Sequence, residues 1–253
     1  MLSMGKRPLY AAADAVLLRR GVQRRVNGEP VRMTPRWARY YPVDYEPTKQ
    51  RFLADRCRPG STVIDLGAHL GLYTVLMSRY VGANGRVVAF EPAPATRREL
   101  RRTIRINRLA NVEIRDEAVS GASGVASLYD TGDPASNANS LTPIHGARSQ
   151  VPICTATLDD LAFVEPVSCV KMDIEGAEVD ALCGALALLE RDRPALAMEI
   201  HPVQLGLVGR EPVEIWDLLH AIGYVLMEGA RRLSRSEIDS RRLGCYETQA
   251  IPV

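Results

Sequence analysis

The sequence predicts an α/β fold, a mostly parallel sheet with helices on both faces, and three observations carry that prediction. Strand-like apolar runs alternate with helix-spaced runs from about Thr62 onward, the pattern of a sheet built from βα units. Val63-Ile64-Asp65-Leu66 leads directly into Gly67-Ala68-His69-Leu70-Gly71 and then an apolar helix, Tyr73 to Arg79, so that a glycine turn lets backbone approach a ligand at the end of a buried strand. Arg86-Val87-Val88-Ala89-Phe90 then ends on Glu91-Pro92, where a βαβ unit delivers a carboxylate to ribose hydroxyls.

The remaining elements follow in order. Residues 1–45 read as a basic helical extension, with an amphipathic helix at Ala11 to Arg24 that packs on the domain or on a second subunit in preference to a membrane surface. Residues 46–253 read as one domain. Its strands are expected at Thr62–Leu66, Arg86–Phe90, Val112–Arg115, Ser168–Asp173, Ala195–Ile200, Tyr224–Met227 and Tyr246–Ile251. Helical spacing marks Pro94–Asn107, Ala177–Glu190 and Pro212–Ile222; Val179, Leu182, Leu186 and Leu189 form the core stripe of the second, and Pro212 and Gly223 punctuate the third. The segment from about 120 to 157 is rich in Gly, Ser, Asn and Pro with short β-like pieces at Gly124–Tyr129 and Val151–Thr155, and reads as an insertion over the sheet's carboxyl edge.

Composition narrows the class. Of 253 residues, 46% are hydrophobic and 25% charged, ordinary for a soluble globular chain, and a net charge of +2 argues against dependence on nucleic-acid phosphates. Cys57, Cys154, Cys169, Cys183 and Cys245 are odd in number and never spaced as C-x-x-C, which suits reduced thiols and a cytoplasmic chain. No run reaches the length of a membrane span. The partners expected are a small-molecule or glycan acceptor and a second copy of the chain, with no nucleic acid.

The glycine turn also excludes something. A dinucleotide fingerprint needs Gly-x-Gly-x-x-Gly after its strand, whereas Gly67 and Gly71 are spaced Gly-x-x-x-Gly. S-adenosylmethionine carries no pyrophosphate and needs no such cradle. Asp65, Gly67, Ala68, His69 and Gly71 are then expected on its methionine side, Glu91 and Pro92 at the ribose, and Glu117-Ala118 at the adenine, with Asp116 the alternative there.

Asp65-Leu66-Gly67-Ala68, Phe90-Glu91-Pro92, Thr157-Leu158-Asp159 and above all Lys171-Met172-Asp173-Ile174-Glu175-Gly176-Ala177-Glu178 resemble the FkbM-type methyltransferases over about Glu46 to Pro202. That resemblance implies a class I methyltransferase (Rossmann-like) fold, a seven-stranded sheet with its last strand antiparallel, using S-adenosylmethionine mostly on hydroxyls of sugars and natural products. His69 departs from it, since the family commonly has Asn there.

Methyl transfer to an alcohol needs alignment of acceptor, methyl and sulfur, and a group that removes the hydroxyl proton, worth about 10²–10⁴-fold. Candidates stand at the ends of the fourth and fifth strands: Lys171 and Asp173 on one face, then Glu175, and Glu199 followed by His201-Pro202. His201 is the expected base by its ordinary pKa near 6.5; Asp173, Glu175 and Glu199 are the expected ligands if the reaction uses magnesium. His145 is the second candidate for base. Structural readings stand beside these: Lys171 paired with Glu199 or Asp173, His201 as a turn residue, Glu178 acting on a helix dipole, Phe90 and His220 as packing. The leading function is therefore O-methylation of a sugar or glycosylated metabolite. The alternatives are a methyltransferase for a non-sugar molecule at nitrogen, carbon or phenol, and a non-catalytic nucleoside-binding module.

Overall fold

A computed structural model describes residues 20–136, 139–142 and 147–253. Ala11–Arg19 and His145 lie outside the described residues. A hairpin opens the described chain, β1 (Val22–Val26) against β2 (Glu29–Met33). The helix expected to run through Arg24 is therefore strand from Val22 onward. The reason is local: Asn27 and Gly28 both have positive φ, 47° and 86°, the two-residue turn that joins antiparallel strands.

After α1 (Pro47–Arg56) the βα alternation begins: β3 (Thr62–Leu66), α2 (Leu72–Val81), β4 (Arg86–Phe90), α3 (Pro94–Asn107) and β5 (Val112–Arg115). A small sheet follows, of β6 (Ala118–Val119), β7 (Gly124–Asp130) and β8 (Ser149–Ala156) in the order β6-β8-β7. The main sheet resumes with β9 (Val167–Met172), α4 (Glu178–Cys183), α5 (Leu186–Asp192), β10 (Ala195–Ile200), α6 (Pro202–Leu207), α7 (Pro212–Ala221) and β11 (Tyr224–Glu228). It closes with the two-residue β12 (Arg231–Arg232), α8 (Arg235–Ser240) and β13 (Tyr246–Pro252).

The main sheet runs β12-β11-β13-β10-β9-β3-β4-β5. Seven strands are the expected ones, β12 adds a short edge to the seven, and β13, the last, is antiparallel to both neighbours. Strand alternation builds a core on each face: Ile64, Leu66, Met172 and Met198 meet α4, α5 and α7, while Val63, Ala89 and Ala197 share a core with Leu53 of α1, Leu76 of α2 and Leu100 of α3. The helix expected over Ala177–Glu190 is two helices. They part at Gly184, where a Cβ would stand 2.3 Å from the carbonyl oxygen of Ser120, an approach that only glycine allows.

Candidate active site

Asp65 is the penultimate residue of β3 and has no exposed surface, and its place in the strand fixes its partners: Thr74 Oγ1 on α2 donates to Oδ2 at 2.6 Å, and Lys171 Nζ on the neighbouring strand β9 is 3.5 Å from Oδ1. Lys171 also donates to the Gly67 and Leu66 carbonyls at 2.8 and 3.3 Å and lies 3.6 Å from Asp173. Asp65 thus holds the glycine turn from behind. Gly71 likewise stands off the cavity, at the start of α2 with φ 92°, where a Cβ would meet Leu100 Cδ1 at 2.8 Å.

The turn opens onto a cavity with about 1090 Å³ of empty space including its mouth. Gly67, Ala68, His69, Phe90, Glu91, Pro92, Thr96, Glu117 and Ala118 line one end. Glu91 accepts from the His69 N–H at 2.8 Å and the Ala93 N–H at 3.0 Å. Burial pushes its carboxyl up to about 7, against the pull of those two N–H groups and of Lys171. Glu117 is gripped by Arg115 at 2.5 Å, which holds its carboxyl below the usual range. Asp116 is exposed, 3.7 Å from Arg97 and outside the cavity wall that Glu117 and Ala118 line. His69 sits at φ 51°, 3.4 Å from the Tyr41 hydroxyl; burial and then Lys171 lower its pKa to about 4 and keep the ring neutral.

The other end is lined by Glu46, Lys171, Asp173, Glu175 and Glu199, with Tyr40, Tyr41, Tyr45 and Tyr73 as an aromatic wall and Ser136, Asn139, Ser140 and Leu141 contributed by the segment between β7 and β8. Ser140 Oγ anchors that segment by donating to the Glu175 carbonyl at 2.6 Å. An aromatic content of 6% gave no sign that four tyrosines converge here, since three arrive from the chain just before α1 and the fourth from α2. Lys49 is the other residue the sequence did not single out. It is 1% exposed on α1 and lies 2.6 Å from Glu46, 3.0 Å from Glu199 and 3.4 Å from Glu247. Burial alone would lower its pKa, but the carboxylates, Glu199 foremost, raise it.

His201 is not placed as a base. It is 3% exposed behind the carboxylates and outside the cavity wall, with Nδ1 2.8 Å from Glu178 Oε1. Burial opposes its charge, yet Glu178, Glu175 and Asp173 together hold its pKa up at about 9, so in this arrangement the ring is already protonated at neutral pH and has no lone pair to offer. Glu178 is fully buried and serves as that imidazole's partner more than as a helix-end charge. Lys171 takes Asp65 and Asp173, leaving Glu199 to Lys49.

The profile of the methyltransferase FkbM domain matches residues 65–226. The chain belongs to the FkbM methyltransferase family. "Methyltransferase 1" of Beauveria bassiana (strain ARSEF 2860) is 26% identical over 145 residues, which span 49% of this chain and 58% of that protein, so the likeness covers little more than half of the relative. Among solved structures, methyltransferase FkbM from Methylobacillus flagellatus KT is 17% identical with TM-score 0.47, over 80% of this chain and 50% of that one. A putative rRNA-methylase from Clostridium thermocellum is 12% identical with TM-score 0.50, over 82% and 94%. A putative methyltransferase from Streptococcus mutans, solved in complex with SAH, is 11% identical with TM-score 0.48, over 82% and 97%.

S-adenosylmethionine fits the first end of the cavity. Thr96 Oγ1 in its wall is buried with no hydrogen-bond partner, the kind of group a polar ligand satisfies. Each Glu91 oxygen spends one lone pair on a backbone N–H and keeps another free for hydroxyl donors. Among the described residues no helix is long and apolar enough to cross a membrane.

Proposed function

We propose that this FkbM methyltransferase O-methylates a hydroxyl of a sugar or glycosylated small molecule. The observation that carries the reading is the second end of the cavity, where Glu46, Asp173, Glu175 and Glu199 supply acceptors for several hydroxyls and four tyrosines supply flat faces for a sugar ring. In this reading Gly67, Ala68 and His69 hold the methionine side of the cofactor, Glu91 the ribose hydroxyls, and Glu117 and Ala118 the adenine. The bound cofactor supplies an electrophilic methyl on a sulfonium. Lys171 fixes the turn that aims it, and the tyrosine wall excludes water from the line of attack. The acceptor's proton leaves toward the carboxylates Asp173, Glu175 and Glu199; these three residues would hold a divalent cation, the role expected of magnesium, and it would supply Lewis acidity that lowers the pKa of a hydroxyl.

The test is transfer of isotope-labelled methyl to a panel of glycosides, with the position of the label read by NMR. Label on a sugar oxygen is expected. The tyrosines favour one other reading, an aromatic acceptor, and label on nitrogen, carbon or a phenol overturns the sugar assignment. Asp173→Asn should lower turnover by about 10²–10⁴-fold while affinity for S-adenosylhomocysteine stays near the parent's; turnover unchanged in a folded variant removes Asp173 from the reaction.

The Glu91 assignment has a pH signature. Ribose hydroxyls donate to the ionised carboxylate, so affinity for S-adenosylhomocysteine should rise by about tenfold between pH 6 and pH 8 as Glu91 ionises near 7. In the free chain the sign is opposite. A carboxyl raised in the fold stabilises it below the unfolded value near 4.3, and that contribution is lost as pH rises through about 7. Titration calorimetry on Glu91→Gln should give weaker binding that is flat with pH, and a variant that keeps the parent's slope takes the ribose contact away from Glu91.

A further inference from the structure

Behind the acceptor end, Asp173, Glu199 and His201 divide their polar atoms in a regular way. Asp173 gives Oδ2 to Lys171 at 3.6 Å and turns Oδ1 to His201 Nε2 at 3.9 Å. Glu199 gives Oε2 to Lys49 at 3.0 Å and turns Oε1 to the same nitrogen at 4.0 Å. Glu175 brings Oε2 to 3.5 Å of it. Three carboxylate oxygens from the ends of β9 and β10 thus surround one imidazole nitrogen at distances too long for strong hydrogen bonds. The Asp173, Glu175 and His201 donor atoms all fall within 4.8 Å of one another.

Donor atoms about 2.0–2.2 Å from a common centre stand roughly 3 to 4 Å apart, and the three oxygens stand 3.5 to 4.0 Å from the His201 nitrogen, with Glu199 meeting His201 in a second cluster that includes Cys245. The ring is also oriented for ligation. His201 is 3% exposed and its Nδ1 meets Glu178 Oε1 at 2.8 Å, while the Gly176 N–H donates to the same oxygen at 3.0 Å. A carboxylate on Nδ1 keeps the proton at that nitrogen, so that an entering metal ion displaces only the Nε2 proton and takes up the lone pair it leaves.

We infer that His201 Nε2, Asp173, Glu175 and Glu199 form a site for a divalent transition ion, with Glu178 as the positioning residue that aims the imidazole. This rests on the proposed function and replaces its magnesium with another class of ion. An imidazole nitrogen among carboxylates suits manganese, iron or zinc, whereas magnesium prefers oxygen ligands and keeps its waters. Because Asp173, Glu175 and Glu199 line the cavity, the ion has an open side toward the acceptor, where it lowers the pKa of a bound hydroxyl. The residue expected as base then acts by holding the metal.

The test needs no acceptor. Chain dialysed against a chelator is titrated with manganese chloride and followed by electron paramagnetic resonance, with pulsed spectra read for nitrogen coupling and circular dichroism for folding. One manganese ion per chain with imidazole nitrogen coupling, held against a large excess of magnesium, is expected. His201→Gln should lose the coupling and weaken binding, and Glu178→Gln should weaken binding by about 10–100-fold while keeping the coupling. Should either variant fail to fold, the parent spectra alone decide. A folded parent that binds no manganese, binds it without nitrogen coupling, or surrenders it to magnesium overturns the site. Binding with coupling but no labelled methyl on any sugar leaves the site standing and removes the sugar assignment instead, so the two failures are distinct.

Discussion

Replacing Gly67 by alanine should destabilise the chain by about 2–5 kcal/mol and abolish measurable binding of S-adenosylhomocysteine. Gly67 has φ 75°, and an added Cβ would lie 1.9 Å from the carbonyl oxygen of Asp173 and 3.0 Å from its carbon. Neither atom is the end of a flexible side chain. The Asp173 N–H donates to the Leu66 carbonyl at 3.2 Å and Gly67 donates to the Phe90 carbonyl at 3.1 Å, so any retreat pulls apart the ends of three adjacent strands. The same retreat moves Asp173 and the Gly67 carbonyl that holds Lys171. Gly209→Ala provides the control, because it has a similar φ of 73° with no heavy atom within 4 Å of the added Cβ. It should cost only the backbone term, about 1–2 kcal/mol, and leave cofactor affinity intact. Chemical denaturation and calorimetry on both variants separate the two contributions, and Gly67→Ala behaving like Gly209→Ala would show that close approach at the turn is unimportant.

What the sequence made legible was whatever is encoded within a few residues. The strands β3, β4, β5 and β10 fell on their expected residues because each is a short apolar or alternating run bounded by turns. The place of Glu91 beside the glycine turn was legible because chain connectivity alone carries the end of β4 there. The hairpin β1-β2 was just as local, and Val26-Asn27-Gly28-Glu29 contained its signal; the surrounding arginines drew attention to a basic helix instead. The need for glycine at position 184 was not local, since the atom it makes room for is the Ser120 carbonyl, over sixty residues away. His201 was located correctly, at the end of β10, but its chemistry depends on Glu178, whose burial no nearby residue announces.

Lys49 was the least legible, and its loss should be the other large effect: Lys49→Met is expected to cost about 3–5 kcal/mol, the penalty for removing one partner from a buried ion cluster. In sequence it is one polar residue in Pro47-Thr48-Lys49-Gln50 at the start of α1. In the fold, β10 and β13 pair antiparallel with Glu199 directly opposite Glu247, a juxtaposition of like charges that weakens a sheet unless something neutralises it. The Lys49 ammonium lies within 3.4 Å of both and 2.6 Å from Glu46, so one cation reconciles three carboxylates and ties α1 to the strand pair that carries the acceptor end. Methionine keeps most of the volume and removes only the charge, which isolates the electrostatic term from packing. Adding Glu247→Gln to Lys49→Met removes one of the stranded charges and should recover part of the loss, whereas on the parent the same substitution should have a smaller effect. The double-mutant cycle, read from urea midpoints with equal slopes, measures that coupling. A Lys49→Met chain within 1 kcal/mol of the parent, or a second substitution that adds independently, would mean that water or local rearrangement compensates the carboxylates and that Lys49 is not what joins α1 to the site.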